Sequence, residues 1–182
     1  MRDDPSATPG PVTPDPQTVA ERAAAAMWAD DAASRALGMT LDEVRPGYAR
    51  LSMQVRADMV NGHAICHGGF VFSLADSAFA FACNSYNRST VAQACDIVFV
   101  APARLGDTLV AEAVERTRFG RNGVYDVRVR RDAGADVPAA IGAPGGAAGG
   151  SARTQEVGGE VVAEFRGRSR EIAGTLVEEP RS

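Results

Sequence analysis

From Phe70 to Ala82 the chain carries only three polar side chains, Ser73, Asp76 and Ser77. Their spacing of three and four residues predicts one polar stripe on an α-helix. Phe70, Phe72, Leu74, Ala75, Phe79 and Phe81 fill the other faces, too much apolar surface for a helix lying on water. The rest of the fold must therefore wrap this helix on nearly every side. The same requirement isolates Asp76, because a carboxylate is rarely buried without a partner or a purpose.

Immediately upstream, Asn61-Gly-His-Ala-Ile-Cys-His-Gly-Gly69 holds both histidines of the chain and a pair of glycines where the helix begins. The segments on either side predict what does the wrapping. Thr18 and Glu21 have the spacing of a capping box ahead of an alanine-rich helix over about 18–30, and a short helix follows over Asp31 to Leu37, ended by Gly38. Thr40–Val44, the turn Arg45-Pro-Gly47 and Ala49–Val55 read as a β-hairpin. After the buried helix come four strand-like runs, Thr90–Val100, Asp107–Thr117, Gly123–Arg131 and Glu160–Arg170, with hairpin-like connections. In the third, Tyr125, Val127 and Val129 alternate with Asp126, Arg128 and Arg130, so one face of the sheet meets a core. Strands without alternating βα units predict an α+β domain, an antiparallel sheet of five to six strands curled around one long central helix.

Residues 1–17, rich in proline, read as a disordered tail; 18–175 form one domain; 176–182 form a short C-terminal tail. The Gly/Ala-rich stretch 132–159 lacks periodicity and reads as a flexible insertion between two adjacent strands. The net charge of −4 argues against nucleic-acid binding. All nineteen basic residues are arginine, which removes lysine Schiff-base chemistry. Cys66, Cys83 and Cys95 are odd in number and lack CxxC spacing. With an acidic, proline-rich start and no apolar run near the roughly 20 residues that span a bilayer, they predict a soluble cytoplasmic protein, not a membrane one. His63, Cys66 and His67 lack a further motif with metal-ligand spacing, and no metal is expected.

The run NGHAICHGGFVFSLADSAFAFACNS, followed by FVAPARLGDTLVAEA, GRNGVYDV and FRGRSREIAG, resembles the PaaI-type hydroxyphenylacetyl-CoA thioesterases of the hot-dog fold. The resemblance covers about residues 20–131 and 160–175. It implies hydrolysis of an aryl-acetyl-CoA such as (hydroxy)phenylacetyl-CoA, a place in phenylacetate catabolism, and no cofactor beyond the CoA of the substrate. It makes Asp76 the nucleophile or general base and gives the thioester oxygen to the Gly68 N–H. Asn61 orients the carbonyl or the attacking group, and His67 lies beside the catalytic glycine. It also implies a tetramer of two dimers. Related branches have Glu where this chain has Asp76; the shorter acid agrees with the PaaI branch. A non-catalytic acyl-CoA-binding protein and a hot-dog hydratase or dehydratase are the alternatives.

The residues support this chemistry on their own terms. Free N–H groups at a helix N-terminus stabilise an oxyanion, and glycine lets substrate approach the backbone. Gly69, Ser73 and Ser77 lie near enough to contact substrate, the two serines by bonding Asp76 or a water. Gly68 and Asp76, eight residues apart, are about 12 Å apart along the helix and cannot both reach one carbonyl carbon. A second chain with its helix antiparallel could supply the missing half, which predicts a homodimer with two shared sites. The CoA phosphates need local cations, and Arg116, Arg118 and Arg121 with Asn122 form the densest cluster.

Overall fold

The structure, a computed structural model, describes residues 14–132 and 159–178. Its elements run α1 (Pro16–Asp30), α2 (Ala32–Ala36), β1 (Met39–Arg45), β2 (Tyr48–Gln54), a 3₁₀ turn (Ala57–Met59), α3 (Gly68–Asn84), β3 (Thr90–Phe99), β4 (Thr108–Phe119), β5 (Asn122–Asp132) and β6 (Gly159–Glu171). The strands make one antiparallel sheet in the order β1-β2-β4-β5-β6-β3, and α3 packs against it. This is the expected α+β architecture with one long helix held by a six-stranded sheet.

Alternation decides which face of the sheet grips α3. Tyr125, Val127 and Val129 of β5 are buried, as are Val162 and Ala163 with Phe165 on β6 and Leu51 and Met53 on β2. They meet Leu74, Ala75, Ala78, Phe79, Phe81 and Ala82 of α3. The rings of Phe79, Tyr125 and Phe165 form a tilted cluster with centroids 5.5–6.0 Å apart. Gly167 on β6 is required there, since a Cβ would lie 2.8 Å from the Phe79 ring. Across the outer face, charges pair between strands: Asp126 binds Arg116 and Arg166, and Arg128 binds Glu164.

Several expectations need correction. The first helix begins at Pro16, not Thr18, and its N-cap is Asp15, whose carboxylate accepts the Thr18 N–H. Proline tolerates the first helical position because its missing N–H would have been unsatisfied there, so Pro16 starts the helix instead of prolonging the tail. At the other end, the stretch expected to be tail is tied down at its start. Asn87, fully buried with φ 56°, accepts the Leu176 and Val177 N–H groups and donates to the Val177 carbonyl. The connection from β3 to β4 is no hairpin, because β3 pairs with β6 at one edge while β4 pairs with β2 and β5. The insertion at 132–159 does join adjacent strands, with Asp132 directly opposite Gly159; its interior, 133–158, lies outside the described residues.

A bulge in β1 between Leu41 and Glu43 turns Asp42 inward, where its carboxylate accepts Ser52 Oγ at 3.1 Å. Burial pushes the Asp42 carboxyl up to about 6, against the weaker pull of Ser52 and Arg50. A carboxyl that binds its proton more tightly when folded destabilises the fold once ionised, so this contribution to stability falls as pH rises from about 4 to 6. Asp42→Asn keeps the acceptor for Ser52 and removes the charge. We expect the variant to melt roughly 3–8 °C above wild type at pH 7.5 and close to it at pH 4. Melting curves across that range check this; equal melting temperatures at pH 7.5 would refute it.

Candidate active site

The loop before α3 builds the helix entrance. Asn61 Oδ1 accepts the His63 N–H at 2.9 Å and the Asn61 N–H donates to the Ile65 carbonyl, closing a turn in which Ala64 takes φ 57°. Cys66 N–H then donates to the Ala103 carbonyl and His67 N–H to that of Met59, which anchors the chain as it enters the helix. His67 is the N-cap. Its Nδ1 accepts the Gly69 N–H at 3.0 Å and its carbonyl accepts that of Phe70. An Nδ1 that accepts carries no proton, so any proton His67 offers a ligand sits on Nε2.

This arrangement separates the two glycines. Gly69, expected to serve substrate, has its N–H already committed to His67. The Gly68 N–H has no acceptor among the described residues and sits at the positive end of the helix dipole. Any side chain at 68 would collide with β3, because a Cβ would lie 2.8 Å from Phe99 Cζ. Asn61, with Oδ1 held by its own loop, has Nδ2 as the end that can donate to a ligand.

Two turns further on, Asp76 is half-buried and faces Cys95 of β3, whose Sγ lies 3.8 Å from Asp76 Oδ1. Burial pushes the Asp76 carboxyl upward, opposed by the Cys95 contact. Of the two partners expected for the serines, Asp76 or a water, Asp76 is not the one they meet: Ser73 Oγ donates to the Gly69 carbonyl, and Ser77 Oγ pairs with buried Ser34 of α2 at 2.9 Å. Nor is α3 wrapped on every side. Gly69 is exposed and Phe72, Ser73, Asp76 and Ala80 are only half-buried, a stripe at helical spacing that a single chain leaves partly open. That opening lies beside β3, an edge strand whose Val91, Val98 and Phe99 are exposed, as is Val100 just past its end.

The arginine cluster also divides. Arg118, Arg121 and Asn122 line a cavity of about 290 Å³ at the far end of α3, together with Tyr86, Arg88 and Thr90. Arg116 is not among them; it points to the outer sheet face and binds Asp126 at 2.8 Å. The cause is an irregularity in β4 between Glu115 and Thr117, which breaks the alternation that would keep 116 and 118 on one face. Arg118 stacks on Tyr86 at 3.6 Å and bridges to Glu115, while Arg121 donates to the Glu171 carbonyl. Arg88 has no ion-pair partner among the described residues. Sequence reasoning missed Arg88, Tyr86, Cys95 and Phe99. The alternation of Cys95, Ile97 and Phe99 was visible, but nothing in it showed that β3 runs beside α3.

One long helix packed against a six-stranded antiparallel sheet is the hot-dog arrangement, and comparisons with known proteins place it among the thioesterases. The thioesterase superfamily profile matches residues 63–137. The chain is 40% identical over 154 residues to the acyl-coenzyme A thioesterase PaaI of Escherichia coli K12, covering 85% of this chain and 92% of that protein. The structure of the E. coli PaaI protein from the phenylacetic acid degradation operon superposes with a TM-score of 0.73 at 38% identity, over 88% of this chain and 99% of that one. A variant of the phenylacetic acid degradation protein PaaI from Thermus thermophilus gives 0.60 at 30% identity, over 76% and 97%. The chain belongs to the thioesterase superfamily and, within it, to the PaaI type; it is a thioesterase. No helix among the described residues is long and apolar enough to cross a membrane.

Proposed function

We propose that this enzyme hydrolyses an aryl-acetyl-CoA, such as phenylacetyl-CoA or its hydroxylated form, to the free acid and CoA in the cytoplasm. What supports the site most directly is the Gly68 N–H, without an acceptor among the described residues, at one end of an uncovered stripe that carries Asp76 two turns away. The Gly68 N–H, assisted by Asn61 Nδ2, polarises the thioester carbonyl. Asp76 acts on the carbonyl carbon, either directly, giving a mixed anhydride that water opens, or by taking a proton from the attacking water. In both routes the C–S bond breaks and the sulfur leaves as the CoA thiol. Single turnover in oxygen-labelled water tests the first route: label found in Asp76 requires an anhydride opened at the Asp76 carbonyl, which proton abstraction from water cannot produce.

The two halves of the chemistry come from two copies. An antiparallel partner helix that sets Asp76 against the second copy's Gly68 puts the twofold axis near Phe72, midway between them. On β3, Phe99 packs on Gly68 and Cys95 on Asp76, so the same axis passes Ile97. One twofold thus serves both elements, and the exposed apolar edge of β3 pairs with itself to extend the sheet. The resemblance to the PaaI family argues for two such dimers in a tetramer. Three free thiols agree with a reducing compartment.

The CoA phosphates go to the cavity at the far end of α3, where Arg88 and Arg121 have no carboxylate partner among the described residues. The decisive experiment is thiol release from a panel of aryl-acetyl and alkyl CoA esters, beside the N-acetylcysteamine thioester that lacks phosphates. We expect turnover with preference for aryl-acetyl groups. Arg88→Ala with Arg121→Ala should raise KM about 10-fold for the CoA ester and leave the short thioester unchanged. Tight binding without turnover would overturn the enzyme reading, and an equal KM rise for both thioesters would remove the phosphate assignment.

A further inference from the structure

Strand β3 returns alongside α3, and the two run in step. The eight residues from Gly68 to Asp76 rise about 12 Å along the helix, and the four from Cys95 to Phe99 span about 13 Å of strand. Phe99 therefore sits on Gly68 while Cys95 comes level with Asp76, its Sγ 3.8 Å from Oδ1. The nearest hydroxyls on the acid's own helix are turned elsewhere, Ser73 to the Gly69 carbonyl and Ser77 to Ser34. Among the described residues, the Cys95 thiol is the side-chain donor on this carboxylate.

We propose that Cys95 is a positioning residue for Asp76, its S–H holding Oδ1 so that Oδ2 is presented to the substrate. This rests on the reading of Asp76 as the reacting acid. A thiol suits the task because it is a weak donor. Hydroxyl or backbone N–H donors stabilise a carboxylate strongly and lower its basicity, which would blunt a nucleophile or general base. A thiol aims the group and leaves most of its basicity intact. The donation also persists with pH. Burial, with the Asp76 charge second, pushes the Cys95 thiol up to about 11, so it keeps its proton wherever the acid titrates.

The groups that face this pair are few. Cys83, on α3, is pushed up to about 12 by burial and stays neutral. Behind Cys95, Asp96 and Arg168 pair at 2.9 Å. In the dimer, the N-terminus of the second copy's α3 brings its His67 to the same site. Burial alone keeps Cys83 protonated whatever stands at 95, and the Asp96–Arg168 pair stays in place, so a change in the acid limb of the pH profile reports on Asp76.

The test is kcat/KM against pH for phenylacetyl-CoA with the full chain and its Cys95→Ser and Cys95→Ala variants, beside Asp76→Asn. Serine, a stronger donor, should move the acid-limb midpoint down by a few tenths of a pH unit and lower the plateau kcat about 3-fold or more. Alanine, with no donor, should move the midpoint up and lower kcat about 10-fold with KM unchanged. Serine is close to isosteric, so it carries the test alone should alanine loosen the fold. Midpoints and kcat equal to wild type in Cys95→Ser would overturn the inference and leave Cys95 as packing. If Asp76→Asn is inactive while the Cys95 midpoints stay fixed, only this inference fails; if Asp76→Asn is active, the reading beneath it fails.

Discussion

Replacing Asp76 by Asn is expected to lower kcat by ~10³-fold or more while leaving the protein at least as stable as wild type. The amide has the shape of the carboxyl and still accepts from Cys95, so packing against β3 survives. What is lost is basicity and nucleophilicity, which both routes to thioester cleavage need. The stability half of the expectation follows from the direction of the Asp76 titration. Burial favours its protonated form, so the ionised carboxylate is a cost to the fold near neutral pH, and a neutral amide removes it. A purely structural aspartate would do the reverse, losing stability on substitution and keeping activity in whatever remained folded. Thiol-release kinetics and melting curves on the same preparation separate the two. Full activity in Asp76→Asn would end the case for this residue as the reacting acid.

The second large effect concerns how the sites are shared. Gly68→Val and Asp76→Asn homodimers should each be nearly inactive, the first because a side chain at 68 drives into the Phe99 ring and crowds the oxyanion donor. Unfolded together and refolded as an equal mixture, half of the dimers are mixed. In each mixed dimer one site joins an intact Gly68 from one copy to an intact Asp76 from the other, and the second site carries both lesions. Activity should therefore return to about a quarter of wild type. A mixture no more active than its separate components would show that Gly68 and Asp76 act within one chain, or that no such dimer forms. The gain requires no new contact, so it tests geometry alone.

Much of this fold is legible residue by residue. The helix over Phe70–Ala82, the inward row Tyr125, Val127 and Val129, and the hairpin around Pro46-Gly47 follow from periodicity and turn chemistry, which are local properties of the chain. The acid and the glycines at the helix start were also visible, because a carboxylate in an apolar helix is conspicuous wherever it ends up. Two departures came from features that alternation does not encode. An irregularity at Arg116 shifts the phase of β4 and parts Arg116 from Arg118, just as the bulge in β1 turns Asp42 inward. Proline at a first helical position looks like a breaker until its neighbour Asp15 is seen to cap the helix.

By itself, the sequence determined that an apolar helix with one acid had to be enclosed by an antiparallel sheet, and that one copy could not bring Gly68 and Asp76 to the same atom. Both conclusions depend only on residue chemistry and helix rise. Tertiary structure alone decided that β3 crosses to the far edge beside β6, level with α3, so that Cys95 meets Asp76, Phe99 meets Gly68, and an apolar edge lies open beside the site. Strand order is set by contacts between residues distant in the chain, and no period within a strand records which neighbour it will have.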